Sequence, residues 1–273
     1  MENASAASSF ASACSTFEGT IALATDIPDR VSLNGLQQLQ GDLRIRGASQ
    51  LTDISSDSLR TISGTLTLDT VQLLTTFDFP KLRSVDTIDI SGLPNAPAIS
   101  FLQTLETLAI LSIQNTPFEE LEGFNLQTID TVTIANNFYL NRINLQPFNV
   151  TGKLLIQSNG VELDVSLPNI ESAQSVGISN CSGISMPSLT YADSLTLTSN
   201  YITAFNGAPL LRTVNSALDI SGNGDLRRIA LPELQTVGSK FTIANNTQLA
   251  TLDTLYSLRE VRGDVAFNGS FTE

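Results

Sequence analysis

The side chains best able to do chemistry in this sequence are carboxylates, because the chain contains no histidine. The absence of histidine excludes Ser-His-Asp and Cys-His catalysis, His-ligated zinc and histidine-based pH switching. Two carboxylates suffice to hydrolyse a glycosidic bond. If the chain is an enzyme, the leading hypothesis is therefore a polysaccharide-active lyase or glycosidase built on a coil of parallel β-strands (a β-coil enzyme). Its candidate residues are Asp42, Asp69, Asp89, Asp219, Glu119 and Glu120.

The spacing of these carboxylates argues against catalysis. The four aspartates fall at outward strand positions on scattered turns, with Thr or Ser between them, and the two glutamates follow Pro117 in a turn. Phosphate-cradling loops, metal-ligand clusters and nucleophile elbows are also absent from the sequence. We therefore predict that the chain is not an enzyme and that it needs no cofactor and no metal.

The two cysteines, Cys14 and Cys181, are about seven repeats apart. At about 4.8 Å per stacked strand they would lie roughly 30 Å from each other, far beyond the reach of a disulfide. We expect Cys181 to fill core or turn space.

The charge balance excludes one class of partner and disfavours another. The net charge is −13 and the pI is near 4.3, so the chain has no basic footprint for nucleic acid. The same acidity disfavours docking on anionic membranes, and no apolar run approaches the 18 residues of a membrane span.

A short phrase repeats roughly every 22 residues, and this period predicts the fold. Each copy carries two apolar residues at a spacing of two, which puts both side chains on one face of a strand. The copies are Leu43/Ile45, Leu66/Leu68, Ile88/Ile90, Leu111/Ile113, Val132/Ile134, Leu154/Ile156, Val176/Ile178, Leu195/Leu197, Leu218/Ile220, Phe241/Ile243 and Val265/Phe267.

Two further apolar segments follow each pair, as in Leu226/Ile229 and Leu234/Val237. Three inward segments per turn predict a right-handed parallel β-helix, or β-solenoid, with turns of about 22 residues. Leucine-rich repeats, in which each repeat also carries a helix or a 3₁₀ turn, are the related alternative. Proline before the third segment, as at Pro80 and Pro232, predicts that the chain enters this segment in an extended conformation. Too few residues then remain before the next strand for a helix, which argues against leucine-rich repeats.

Asparagine recurs just past the main strand from the middle of the chain onward. Asparagine tolerates the left-handed corner conformation, and stacked amides can hydrogen-bond one another, so we predict a structural ladder. Its members are Asn115, Asn137, Asn159, Asn200, Asn223 and Asn246.

The first residues differ from the repeats. Phe10, Cys14 and Phe17 recur at helical spacing, which predicts a short capping helix within a cap segment, residues 1–19. Residues 20–273 are predicted to form a single β-solenoid domain, whose C-terminus we expect to be truncated.

The sequence offers sites for sugars of two kinds. Asn149, Asn245 and Asn268 are the candidate N-glycosylation sites among the sequons, and Asn149 lies in a loop-like stretch. For glycan binding, the chain lacks tryptophan, and Tyr139 and Tyr201 each lie just after an Asn turn. We expect these two tyrosines to be half-buried corner residues.

Five short runs of sequence are distinctive. These are Cys14-Ser15-Thr16-Phe17-Glu18-Gly19-Thr20-Ile21, Val31-Ser32-Leu33-Asn34-Gly35-Leu36, Gly41-Asp42-Leu43-Arg44-Ile45, Phe79-Pro80-Lys81-Leu82-Arg83-Ser84-Val85 and Ile134-Ala135-Asn136-Asn137-Phe138-Tyr139-Leu140. With these runs the chain resembles, over nearly its whole length, fungal GPI-anchored cell-wall organisation proteins, whose fold is related to the L domains of insulin- and EGF-type receptors.

The resemblance implies a secreted glycoprotein at the cell surface or wall that supports wall organisation and integrity, with no catalytic residues to carry over. Its expected partner is a wall polysaccharide or a wall protein, and its membrane tether would be a C-terminal lipid anchor that this sequence lacks. The alternatives are the β-coil enzyme and a receptor-like ligand-binding domain.

Overall fold

The computed structural model describes residues 14–23, 25–27, 29–96, 99 and 105–270. Two compact units divide the chain: residues 1–126 with 133–140 form unit 1, and residues 127–132 with 141–273 form unit 2. Within the described residues the regular structure is entirely β, with parallel strand pairing and no helix. The predicted parallel β-solenoid with turns of about 22 residues is confirmed, and the single-domain assignment stays a prediction.

Unit 1 stacks its strands on two principal faces. The inward apolar pairs of successive turns align directly, as in Leu43 with Leu66 and Leu66 with Ile88. The strands of unit 1 are β1 (Thr16–Glu18), β2 (Ile21–Leu23), β3 (Arg30–Ser32), β4 (Gln38–Gln40), β5 (Leu43–Arg46), β6 (Asp53–Ser55), β7 (Thr61–Asp69), β8 (Thr76–Asp78), β9 (Ser84–Ser91), β10 (Ile110–Gln114) and β11 (Glu120–Gly123). A second face joins β3, β6 and β8 through Val31, Ile54 and Phe77.

Strand β12 (Thr128–Ala135) contributes residues to both units. Unit 2 repeats the same arrangement, with Leu195, Leu218 and Phe241 in one inward column. Its other strands are β13 (Arg142–Leu145), β14 (Asn149–Gln157), β15 (Asp164–Ser166), β16 (Ser172–Ser179), β17 (Gly183–Ser185), β18 (Tyr191–Thr198), β19 (Ala204–Phe205), β20 (Thr213–Val214), β21 (Leu218–Ser221), β22 (Arg228–Ile229), β23 (Thr236–Val237), β24 (Phe241–Asn246), β25 (Glu260–Val261) and β26 (Val265–Gly269).

The core of each unit consists of these inward side chains. From Leu43 to Ile243 the members of the repeated pairs are almost completely buried. Burying one such side chain contributes about 1.5–3 kcal/mol, so the repeat is also the main source of stability. The pair on β26 differs, because Val265 and Phe267 are about half exposed, although the Phe267 ring packs edge-on against Phe241 at 5.1 Å.

Two local expectations are wrong. Pro80 does not extend the chain: it follows Phe79 in a tight turn that the Leu82 N–H closes by donating to the Phe79 carbonyl. Proline has the φ that the second residue of such a turn requires, and Pro232 takes the same place between Leu231 and Leu234. The absence of helix therefore follows from the turns rather than from extended backbone.

The predicted capping helix of Phe10, Cys14 and Phe17 does not include Phe17. Phe17 lies in β1, which pairs in parallel with β4, because its backbone joins the ladder of the next turn. Residues 1–13, including Phe10, lie outside the described residues.

Candidate functional site

In ten of the described turns, from β5 to β24, the main strand ends with a left-handed residue followed by a buried side chain. In unit 1, Gly47, Thr70, Gly92, Asn115 and Asn136 have φ between 53° and 63°. The next residue points into the coil and is buried. This second position carries Ala48, Val71, Leu93, Thr116 and Asn137 in unit 1 and Asn159, Cys181, Asn200, Asn223 and Asn246 in unit 2.

The left-handed corner and the buried amide are therefore separate positions, which corrects the expectation that one asparagine serves both. Asn115 is exposed and left-handed, and Thr116 takes the buried position of its turn. Thr116 donates its N–H and its hydroxyl to Asn137 Oδ1 at 3.0 and 2.7 Å. Asn159 is buried at the corresponding position of unit 2.

Three asparagines of unit 2 are linked from turn to turn. Asn223 Oδ1 accepts the Asn200 N–H at 2.8 Å, and Asn246 Oδ1 accepts the Asn223 N–H at 2.9 Å. Each side-chain amide then donates to a strand carbonyl, as Asn223 Nδ2 does to Leu197 at 3.0 Å. Every link satisfies a buried backbone group, so these residues stabilise the stack and are not available to a ligand.

Cys181 occupies the buried position after the left-handed corner, on the turn between those of Asn159 and Asn200. This agrees with the expectation that it fills turn space. Its N–H donates to Asn200 Oδ1 at 3.1 Å, and its thiol donates to the Ser179 carbonyl. Burial, with a smaller contribution from the charge of Asp164, raises the pKa of the thiol to about 12. Both cysteines are free.

We expect iodoacetamide at mildly alkaline pH to alkylate Cys14 but not Cys181 in the folded protein, because only the thiolate is reactive. Mass spectrometry should find both alkylated after unfolding in urea.

The unfolded Cys181 thiol ionises near its ordinary pKa of 9.0, so the free energy of unfolding should fall as pH rises from about 9 towards 12. The free energy of unfolding of the Cys181→Ala variant should fall less steeply over this pH range than that of the wild type. Equal slopes would contradict the raised pKa of the Cys181 thiol.

An apolar row lies on the surface of unit 1 at the position after the buried column. Pro94, Pro117 and Phe138 occupy it on three successive turns, each four residues beyond the last inward residue of its strand. The other seven inward pairs between Leu43 and Ile243 are followed at this position by polar residues or glycine and, in unit 2, by one tyrosine. These residues are Ser49, Gln72, Gly160, Ser182, Tyr201, Gly224 and Thr247.

The end of the row is held by a tight turn. The Leu140 N–H donates to the Asn137 carbonyl at 3.0 Å, and both of these residues are fully buried. Phe138 and Tyr139 are the two central residues of this turn, so their side chains point outward, with 72% and 70% of their surface exposed. Two large rings are thus presented on a fixed corner.

The apolar row and Tyr139 line a shallow depression of about 320 Å³. Its floor and walls combine the proline and aromatic rings with Asn115 and Asn136, the left-handed residues of two successive turns. Apolar surface with a few convergent polar groups is typical of a small-molecule site. Exposed aromatic faces suit the C–H faces of sugar rings, and amides suit their hydroxyls.

One of the two tyrosines differs from its expected state. Tyr139 is 70% exposed rather than half-buried, because it lies in a turn whose buried neighbours leave it outside the coil, whereas Tyr201 retains 50% of its surface and is half-buried as expected. Only Tyr139 lies in the depression of unit 1.

The structure does not gather the candidate carboxylates. Asp42 pairs with Arg44 at 2.7 Å and accepts the Thr65 N–H, and Asp69 accepts the hydroxyls of Thr70 and Ser91. Asp89 lines a separate open groove of unit 1, on the outward strand face. Asp219 belongs to unit 2, where its Oδ1 is buried and has no hydrogen-bond partner.

Glu119 and Glu120 are exposed and line a second depression of about 380 Å³, which adjoins the first because Pro117 lines both. Across the described residues, no group of three or more Cys, Asp or Glu side chains could hold a metal ion.

The candidate glycosylation sites have different surroundings. Asn149 is not in a loop: it begins β14, its Nδ2 donates to the Gln127 carbonyl, and its Oδ1 accepts the Ser172 hydroxyl at 2.7 Å. Asn245 is an exposed left-handed corner, and Asn268 is exposed on β26. We propose Asn245 and Asn268 as the accessible sites.

Comparison with known proteins places this architecture in a family. No family model matches the chain. It is 30% identical over 262 residues to a cell surface GPI-anchored protein of Arthroderma benhamiae, an alignment that covers 95% of this chain and 67% of the relative. It belongs to the fungal GPI-anchored cell-wall proteins.

Two further relatives, both named ecm33, agree with this assignment. The chain is 32% identical over 234 residues to protein ecm33 of Aspergillus fumigatus, covering 85% of this chain and 58% of that protein. The cell wall protein ecm33 of Schizosaccharomyces pombe is 28% identical over 153 residues, 55% of this chain and 36% of that protein. The chain thus spans about one to two thirds of the length of these relatives.

As a member of this family, the chain is a protein of the fungal cell surface and wall. Among its described residues, no helix is long and apolar enough to cross a membrane.

Proposed function

We propose that this chain is a non-enzymatic ectodomain that supports cell-wall organisation and integrity by binding a wall glycan. The observation that carries the proposal is the apolar row of Pro94, Pro117 and Phe138 with Tyr139, exposed beside two amides on a fixed corner. Exposed apolar patches with polar neighbours mark interaction sites on soluble domains.

The absence of catalysis in this proposal follows from the carboxylates. A glycosidase places two carboxylates on opposite sides of the scissile bond. Here Asp42 and Asp69 are held in hydrogen bonds of the strand face, and Glu119 and Glu120 lie on an open surface. The relatives are named as cell-wall and cell-surface proteins, which also favours a binding role.

The test incubates the purified chain with insoluble β-glucan, chitin and mannan, and measures both retained protein and released reducing ends. We expect saturable retention on at least one glycan without release. Release of reducing ends would favour the polysaccharide-active enzyme. No retention on any of the three would contradict glycan binding and favour a protein ligand, as for the receptor-like alternative.

A further inference from the structure

The proposed glycan site has a spacing and a charge that select one class of polymer. Pro94, Pro117 and Phe138 are contributed by three consecutive turns of unit 1. Neighbouring parallel strands lie about 4.8 Å apart, so the backbone positions of the three residues recur at nearly that distance along the stack. The row therefore has a fixed repeat, set by backbone hydrogen bonds rather than by flexible side chains.

That repeat favours an extended chain of sugar rings. In a β-1,4-linked pyranose polymer, successive rings form a flat ribbon whose advance per sugar is close to the strand spacing, so one ring can pack on each turn. A β-1,3-linked chain curves and cannot keep this match over three turns. Asn115 and Asn136 recur with the same repeat beside the row and can hydrogen-bond successive rings.

The charge beside the row comes from Glu119 and Glu120. Both carboxylates line the adjoining depression, and Glu119 is two residues from Pro117, a span of at most about 7 Å. Within the described residues, no Lys or Arg lines either depression. The net charge of −13 adds a long-range attraction for cations and repels anionic polymers.

We propose that this site binds a β-1,4-linked polysaccharide that carries free amino groups, a polymer of glucosamine. The sugar rings pack on Pro94, Pro117 and Phe138, and the ammonium groups face Glu119 and Glu120. Tyr139 adds an aromatic face next to the charged chain, where cations are also favoured. This inference rests on the proposed glycan-binding function and names its ligand class.

The test compares three soluble hexasaccharides by calorimetry in low-salt buffer, at a mildly acidic pH where amines and carboxylates are both charged. They are β-1,4-linked glucosamine, β-1,4-linked glucose and β-1,3-linked glucose. We expect the glucosamine hexamer to bind about fivefold more tightly than β-1,4-linked glucose, since exposed ion pairs contribute modestly. The β-1,3-linked hexamer should bind most weakly of the three.

The variant E119Q/E120Q should abolish the preference for glucosamine, so that the glucosamine hexamer and the β-1,4-linked glucose hexamer bind it with equal affinity. Its matched control is E162Q/E171Q, which removes two exposed charges of unit 2 and should keep the preference. Equal affinity for the amino and neutral β-1,4 chains, equal effects of the two variants, or tighter binding of the β-1,3 chain would each overturn the inference. Binding of none of the hexamers, together with no retention on the insoluble glycans, would instead overturn the proposed function.

Discussion

Replacement of Asn223 by alanine is expected to lower the free energy of unfolding by about 3–5 kcal/mol. The Asn223 side chain is fully buried, and it bonds the Asn200 N–H and the Leu197 carbonyl of the preceding turn. Alanine leaves the Asn200 N–H without its acceptor in the interior, removes the side-chain amide hydrogen bond to the Leu197 carbonyl and also creates a cavity. An unsatisfied buried polar group costs about 1–3 kcal/mol. The change is measured by urea denaturation followed by far-ultraviolet circular dichroism.

The matched control for this change is Asn245→Gly. Asn245 is exposed and left-handed, a conformation that glycine adopts readily, so its replacement should change stability by less than about 1 kcal/mol. A loss for Asn223→Ala no greater than that of this control would show that the amide links do not hold the turns together.

Truncation of the aromatic pair, Phe138→Ala with Tyr139→Ala, should weaken glycan retention about tenfold or more, the usual effect of removing central aromatic anchors. Both side chains are mostly exposed at the centre of the turn that Asn137 and Leu140 close. Their loss therefore leaves the core intact, and the urea midpoint should hardly change. The measurement is retention on particles of β-glucan, chitin and mannan over a range of protein concentrations.

Tyr256→Ala is the control for this pair, because Tyr256 is 75% exposed in unit 2 and does not line the depression. It removes an exposed ring of the same kind and should leave retention unchanged. Equal retention of the aromatic double variant and the wild type would exclude the row as the binding surface.

Much of the fold could be predicted from the residues because a strand alternates its side chains with a period of two. A pair such as Leu195 and Leu197 must share a face, and its recurrence every 22 residues leaves only stacked parallel strands to bury it. The buried asparagines were also recognisable, since polar residues recur at a place that the stack must enclose.

The details of the turns could not be predicted in the same way. Pro80 and Pro232 fit both an extended entry and a tight turn, and only the hydrogen bonds across each turn distinguish them. The exposure of Tyr139 likewise depends on which residues close its turn. The one available signal was positional: Pro94, Pro117 and Phe138 all fall four residues after an inward residue.

The sequence by itself determined the period, the inward side chains and the absence of histidine chemistry, because these depend only on residue type and spacing. The tertiary structure alone decided which surface residues meet. Stacking brings residues 21 and 23 positions apart in the chain next to one another, and the left-handed corner turns Phe138 and Tyr139 outward while Asn137 turns inward. The candidate site therefore results from the register of the turns, which converts scattered residues into one row.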